Sequence, residues 1–292
     1  GNKIINQLKR LGCSCDWSRE RFTLDEGLSK SVRHVFVKLY KDGLVYKDKR
    51  LSNWDPKLKT TISDLEVIQK EVTGTLWYID YEIENGDDKI TIATTRPETM
   101  LGDTAIAVHP EDKRFTDMIG KFAILPIVKK RIPIVADEYV KMDQGSGAVK
   151  ITPAHDFNDY ELGKRHNLEI INIFNENAEL NENCPREYQG LDRYTAREKI
   201  ISELKEKELL SKEEENLHTV PYGDRSGEVI EPLLTDQWFV DAKKLSIEAI
   251  DSVKNGNTKF IPSNWDKVYF DWMENIQPWC VSRQLIWGHQ IP

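Results

Sequence analysis

The chain has 292 residues, of which 39% are hydrophobic and 31% charged, and its formal net charge is −8. This length suffices for about two domains, and the composition excludes a disordered chain. The negative charge opposes nucleic-acid binding by the chain as a whole. The sequence has no apolar leader and no apolar run of membrane-spanning length, so we expect a cytoplasmic protein without a membrane partner.

The four cysteines are too few and too scattered for a secreted disulfide framework. One residue separates Cys13 from Cys15, whereas zinc ribbons and fingers usually place about two to four residues between their ligands. No second Cys or His pair complements them. We therefore expect no metal site.

The N-terminal region predicts a long amphipathic helix. Thr23-Leu-Asp-Glu26 has the pattern of a capping box, apolar residues follow at helical spacing, and Gly43 suits the C-terminal cap. We interpret the apolar stripe of this helix as core packing. Extended segments with turns are predicted from Val45 to Ser63.

From Gly74 onwards the sequence changes to short alternating stretches. A β-hairpin is predicted, with strands at 76–83 and 89–95 and a turn at 85–88. Further strands are predicted at 105–109, 122–128, 132–135, 147–152 and 170–174, and helices at 97–101, 156–166 and 195–210. Many short strands with few helices favour the α+β class, here a closed or nearly closed β-barrel-like sheet with helices packed outside it. We place this domain at 74–218.

Beyond this domain, two helices are predicted at 241–253 and 264–275. The last stretch, 284–291, is apolar and aromatic, and we interpret it as a buried strand.

The first chemically informative motif runs from Lys150 through Thr152 and His155 to two carboxylates, Asp156 and Asp159. The two aspartates are three residues apart in the first turn of a predicted helix, so both can face one way. Either can cap the helix and suits its positive end. The functional alternative is that one carboxylate caps while the other holds a substrate ammonium. His155 is a candidate base, although a single histidine without a Ser or Cys partner is more typical of a structural residue.

The second motif, Thr94-Thr95-Arg96-Pro97-Glu98-Thr99, places hydroxyls and a guanidinium at a strand-to-helix junction. Proline suits the first helical position and holds the preceding residue extended. The structural alternative is that the hydroxyls cap the helix while Arg96 pairs with a nearby carboxylate. Together the two motifs offer anchors for an ammonium, a hydroxyl and an ester or phosphate, with no Ser or Cys nucleophile. This combination indicates hydrolysis of an aminoacyl ester by water.

The same residues resemble a known family. The 94–99 motif resembles the threonine-rich motif in the editing domains of class I valyl-, isoleucyl- and leucyl-tRNA synthetases. The stretches 147–161, 163–168, 277–292 and 11–19 are similar to the valyl group in particular. The resemblance implies an editing domain at 74–218, with a stem at 1–73 that leads out of a split Rossmann catalytic domain and a stem at 219–292 that returns to it.

The resemblance also implies a function and a site. The expected reaction is hydrolysis of threonyl-tRNA(Val), so the partners are the tRNA(Val) acceptor end carrying threonine and the parent catalytic domain in cis. Asp159 corresponds to the anchor of the α-ammonium, and Asp156 and Thr152 to positions around the threonine side chain and the attacking water. The remaining implied substrate-binding residues are Arg96, Thr99 and Lys150, joined by Thr94, Thr95 and His155 of the same motifs.

The ATP-binding motifs of the family, of His-Ile-Gly-His and Lys-Met-Ser-Lys-Ser type, do not occur in this sequence. We therefore expect no amino-acid activation by this chain and no cofactor for editing, whereas the parent enzyme would use ATP and Mg. Two alternatives remain at this stage. One is an isoleucyl-type editor that clears valyl-tRNA(Ile), and the other is a module that binds the tRNA acceptor end without catalysis.

Overall fold

The computed structural model describes residues 2–292, which divide into two compact units. The smaller unit combines residues up to 48 with 237–292, and the larger consists of 49–236. The helices are α1 (Asn2–Arg10), α2 (Glu26–Lys41), α3 (Phe157–Arg165), α4 (Arg193–Glu206), α5 (Ala242–Lys254) and α6 (Trp265–Glu274). None of these helices is both long and apolar enough to cross a bilayer.

The strands are β1 (Val45–Asp55), β2 (Thr60–Thr61), β3 (Val67–Ile83), β4 (Lys89–Thr94), β5 (Ala105–Val108), β6 (Phe122–Ile124), β7 (Arg131–Ala136), β8 (Ala148–Ile151), β9 (Leu210–Gly223), β10 (Glu231–Val240) and β11 (Trp279–Cys280). Short 3₁₀ helices lie at Trp17–Arg19, Asp64–Glu66, Pro97–Gly102 and Thr116–Met118.

The larger unit contains a seven-stranded sheet in the order β4-β3-β6-β7-β5-β8, with β9 also paired to β3. All its pairs are antiparallel except β5 with β7. The two end strands of this order, β4 and β8, lie next to each other, so the sheet curls back on itself. The predicted α+β class, with a nearly closed sheet and accompanying helices, is confirmed.

The β-hairpin predicted after Gly74 is present, with register from Trp77↔Thr94 to Glu82↔Lys89. Its inward residues alternate along the two strands and are fully buried, as in Ile79 and Tyr81 on β3 and Ile90 and Ile92 on β4. Burial of every second residue is expected for a strand in a sheet that packs one face against the core. β3 begins earlier than predicted, at Val67, because β9 pairs along its N-terminal half.

The capping box predicted at Thr23 is wrong. The N-cap of α2 is Asp25, whose carboxylate accepts the Leu28 N–H at 2.8 Å and also pairs with Arg21. The helix therefore starts at Glu26, so that residue cannot occupy the third helical position that a box with Thr23 requires. The prediction that the apolar stripe of α2 is core is also wrong, since no α2 residue is buried and Val32 and Val35 are exposed.

Three strand predictions fail. The segment 170–174 forms only an isolated bridge from Phe174, because the Ile173 N–H bonds the His155 side chain instead of a ladder partner. The strand predicted at 122–128 ends at Ile124, and the chain then turns through left-handed backbone (φ 63° at Ile127). The segment 284–291 has no strand structure, and its large apolar side chains, Ile286 among them, are exposed.

The predicted boundaries of the editing domain, 74 and 218, fall within β3 and β9. These two strands pair from Val67↔Gly223 to Ile79↔Leu210, so the ribbon continues past both predicted boundaries. The range 74–218 therefore stays a prediction about the editing domain as a functional segment.

Candidate active site

The two chemically informative motifs lie on neighbouring strands. β4 ends at Thr94 and leads through Arg96 into the 3₁₀ helix, while β8 ends at Ile151 and leads into α3. Two hydrogen bonds join the motifs directly, from Arg96 Nη1 to the carbonyl oxygen of His155 (3.3 Å) and from Lys150 Nζ to Thr99 Oγ1 (2.8 Å). Closure of the sheet thus brings together side chains that are more than fifty residues apart in the chain.

A buried polar cluster lies at this junction. Lys150 Nζ donates to Thr99 Oγ1, to Asp103 Oδ1 (3.0 Å) and to Thr152 Oγ1. Thr152 Oγ1 in turn donates to Asp103 Oδ1 at 2.6 Å, and the Tyr81 hydroxyl donates to Asp103 Oδ2 at 2.7 Å. Burial raises the pKa of Asp103, although the nearby Lys150 charge and the hydrogen bonds act to lower it.

The two aspartates of α3 have separate roles. Asp156 is exposed and is the N-cap, since its side chain accepts the N–H groups of Asn158 and Asp159. Asp159 is 8% exposed, and its Oδ2 accepts the Thr152 N–H at 2.8 Å. Within residues 2–292 its other oxygen, Oδ1, has no hydrogen-bond partner. Burial, followed by the nearby charge of Asp156, raises the pKa of Asp159 to about 7.

Arg96 is the centre of an ion network. Its guanidinium donates from Nε to Glu98 (3.1 Å) and from Nη2 to Glu231 (2.5 Å). Each glutamate is held by a second arginine from α4, with Arg197 bound to Glu98 at 2.8 Å and Arg193 to Glu231 at 3.1 Å. Burial acts to raise the pKa of Glu98, but the charges of Arg96 and Arg197 outweigh it and hold that pKa below its usual value. Arg96 therefore pairs with nearby carboxylates, as the structural alternative predicts.

His155 is almost fully buried, with its ring edge-on to Phe174. Its Nε2 accepts the Ile173 N–H at 2.9 Å. Burial, with the charges of Arg96 and Lys150, holds the pKa of His155 well below its ordinary value, so the ring is neutral. This arrangement favours a structural role for His155. The hydroxyl of Thr94 accepts the Arg96 N–H at 3.0 Å, and Thr95 beside it is half-buried.

Sequence reasoning missed Asp103, Tyr81, Glu231 and the two α4 arginines. One clue was available for Asp103, which interrupts a small and apolar run, Met100-Leu-Gly-Asp-Thr-Ala-Ile-Ala-Val108. A carboxylate inside such a run must be paired if the run is buried. Across 2–292, no group of three or more His, Cys, Asp or Glu side chains is arranged to hold a metal ion.

The model of the family described as tRNA synthetases class I (I, L, M and V) matches residues 1–292. The chain belongs to the class I tRNA synthetase family. The relatives of this synthetase chain include a valine–tRNA ligase of Pelagibacter ubique (strain HTCC1062), 66% identical over 100% of the chain and 33% of that protein. Those of Rhodopseudomonas palustris and Francisella tularensis are 59% and 56% identical, again over the whole chain and 33% and 32% of the relatives.

The synthetase chain thus spans about a third of the length of the curated relatives it matches. Among solved structures it aligns with a chain of the "ternary complex of Agrobacterium radiobacter K84 agnB2 LeuRS-tRNA-LeuAMS" at 21% identity and a TM-score of 0.39, over 75% of this chain and 36% of that one. The family resemblance stated from the motifs is confirmed by the family model and by these relatives.

Proposed function

We propose that this chain carries the editing site of a valine-type class I synthetase and hydrolyses threonyl-tRNA(Val). The observation that carries the proposal is the link from the buried Lys150–Thr152–Asp103 cluster to Asp159, whose Oδ1 is left without a partner among residues 2–292. This geometry supports a polar site that binds an ammonium next to a group of hydroxyls. The remaining two thirds of the parent enzyme, including its ATP- and Mg-dependent catalytic domain, is the proposed partner in cis.

The need for such a site follows from the shapes of valine and threonine. They are nearly isosteric, and the activation pocket of valine enzymes is known to reject threonine by a factor of only about 10². A second site can remove the threonine that was attached in error. If that site forms hydrogen bonds with the threonine hydroxyl, it discriminates against valine, which lacks the hydroxyl. A cluster of hydroxyl, ammonium and carboxylate groups meets that requirement better than an apolar pocket.

In the proposed reaction, the oxygen of a water attacks the ester carbonyl carbon, and the bond from that carbon to the ribose oxygen breaks. Threonine leaves as the free amino acid, and the terminal ribose recovers its hydroxyl. Asp159 in its ionised form binds the α-ammonium through Oδ1 and so fixes the ester relative to the water. The Lys150 charge lowers the energy of the negative charge that develops on the carbonyl oxygen. No covalent enzyme intermediate and no cofactor is required.

Asp156, Thr94, Thr95, Arg96, Thr99 and His155 complete the proposed site residues. We assign Asp156 to capping α3 and thereby setting the position of Asp159, since its side chain accepts the Asp159 N–H at 3.0 Å. Arg96 connects the two motifs through the His155 carbonyl. Asp156 and Arg96 thus have positioning roles, whereas we assign contact with the bound aminoacyl ester to Asp159, Thr152 and Thr99.

The test is deacylation by the purified 292-residue chain of threonyl-tRNA(Val), valyl-tRNA(Val) and valyl-tRNA(Ile), each compared with its rate without protein. We expect accelerated loss of threonine alone. Loss of valine from valyl-tRNA(Ile) would instead identify an isoleucyl-type editor. Binding of charged tRNA without hydrolysis would identify an acceptor-end binding module and refute the proposed reaction.

A further inference from the structure

The hydrogen-bond donors of Lys150 are all used inside the protein. An ammonium has three N–H groups, and those of Lys150 point to Thr99 Oγ1, Asp103 Oδ1 and Thr152 Oγ1. The side chain is only 9% exposed. Lys150 therefore offers a ligand its charge, but it has no free donor.

The two hydroxyls around Lys150 have also committed their hydrogens. Thr152 Oγ1 donates to Asp103 Oδ1 (2.6 Å), and Thr99 Oγ1 donates to the Arg96 carbonyl (3.0 Å). Each hydroxyl also accepts from Lys150. A hydroxyl has one hydrogen and two lone pairs, so each of these threonines retains a single lone pair and no hydrogen for a ligand. Towards a ligand, the cluster can only accept hydrogen bonds.

Asp103 is the residue that makes the cluster an acceptor, and not a donor, of hydrogen bonds. It is fully buried, its Oδ1 receives both the Thr152 hydrogen and a Lys150 hydrogen, and its Oδ2 is held by Tyr81 at 2.7 Å. Without this carboxylate the Thr152 hydroxyl can rotate and donate elsewhere, and the Lys150 charge has no partner. Asp103 itself is fully buried and bonds Lys150 and Thr152, so it acts through them.

We infer that Asp103 is a positioning residue that makes this site selective for a side chain carrying a hydrogen-bond donor. The inference rests on the proposed function and assigns its specificity. The hydroxyl of an aminoacyl ester such as the threonyl ester can donate to the lone pair of Thr152, whereas the corresponding methyl group of a valyl ester cannot. Selectivity then depends on the direction of hydrogen bonds as well as on the presence of polar groups.

The experiment compares threonyl-tRNA(Val) and valyl-tRNA(Val) deacylation rates for the wild-type chain, Asp103→Ala, Asp103→Asn and Tyr81→Phe. For Asp103→Ala we expect the ratio of the threonyl rate to the valyl rate to fall at least about tenfold, because one hydrogen bond to the hydroxyl loses its fixed direction. Asp103→Asn keeps an acceptor oxygen for Thr152 and should lose less of the ratio. Tyr81→Phe leaves both Asp103 Oδ1 bonds in place and should change it least.

A matched control is Tyr188→Phe. Tyr188 is also fully buried and donates to a carboxylate, Glu203, but it lies outside the cluster. Its loss should leave the ratio unchanged, and melting temperatures of all variants report folding. If Asp103→Ala and Asp103→Asn slow both esters equally, Asp103 is merely structural and the inference is overturned. A wild-type chain that hydrolyses neither ester overturns the proposed function itself.

Discussion

The backbone N–H of Thr152 donates to Oδ2 of Asp159 at 2.8 Å, so the end of β8 and the first turn of α3 are joined by a buried carboxylate. This bond leaves Oδ1 as the oxygen available to a ligand. Asp159 is thus a buried link between β8 and α3, whereas Asp156 is the residue that caps α3. Truncation of Asp159 to alanine would leave the Thr152 N–H unsatisfied, at a cost of about 1–3 kcal/mol.

The variant that tests catalysis is therefore Asp159→Asn, which can still accept the Thr152 N–H. We expect its threonyl-tRNA(Val) deacylation rate to fall about a hundredfold, because the charge-assisted bond to the α-ammonium is worth about 3 kcal/mol. Asp192→Asn is the control, since the Asp192 carboxylate also accepts backbone N–H groups at the start of a helix but lies outside the proposed site. A variant at position 159 as active as this control would remove Asp159 from the mechanism.

The difference in stability between this variant and the wild type should depend on pH. The folded pKa of Asp159 is about 7, whereas an unfolded aspartate titrates at about 3.9. Between these values the folded chain binds the proton more tightly, so this group lowers the free energy of unfolding as pH rises through the window. Asn cannot ionise. The unfolding free energy of Asp159→Asn relative to wild type should thus be about 2 kcal/mol higher at pH 8 than at pH 5.5 in urea titrations. An equal difference at both pH values would contradict the raised pKa.

The ion network around Arg96 should contribute strongly to stability. Glu231 is 2% exposed and pairs with both Arg96 and Arg193, so Glu231→Gln removes one of the two carboxylates that each of these guanidinium groups binds. We expect a loss of about 3 kcal/mol in urea unfolding. Glu228→Gln is the matched control, because Glu228 binds Arg193 with a side chain that is 38% exposed, and it should cost less than about 1 kcal/mol. Equal losses of unfolding free energy in Glu231→Gln and Glu228→Gln would contradict a dependence of stability on the burial of the ion pair.

The turn before β8 depends on close approach of Arg114 to Gly147. Gly147 has φ +82°, and a Cβ there would lie 2.1 Å from the Arg114 guanidinium, which holds this turn through the Met142 carbonyl. Gly190 has a similar φ of +78° with open space around it. Gly190→Ala should cost about 1–2 kcal/mol from backbone strain alone. Gly147→Ala should cost about 1–3 kcal/mol more, measured by urea unfolding, and should slow deacylation by displacing β8. Equal losses of unfolding free energy in Gly147→Ala and Gly190→Ala would show that Arg114 moves away without cost.

The family could be predicted from the sequence because its motifs are contiguous stretches of the chain. Most regular elements could be predicted because they depend on interactions between near neighbours. The β3–β4 hairpin follows from alternation and a short turn, and the cap at Asp156 follows from its place before α3. The failed predictions concern contacts between segments that are far apart in the chain. Whether 284–291 is paired, or the α2 stripe covered, depends on which distant segment faces it, and the local pattern contains no information about that partner.

The sequence by itself determined the residue types of the site and the two strand ends that carry them. Only the tertiary structure decided their electrostatic partners. Arg96 and Glu231 are 135 residues apart and meet because the larger unit folds them together, and Tyr81 and Asp103 meet inside the curled sheet. Burial then sets the protonation of Asp159 and His155, because the pKa of a side chain responds to the charges and the water around it, which chain order does not specify.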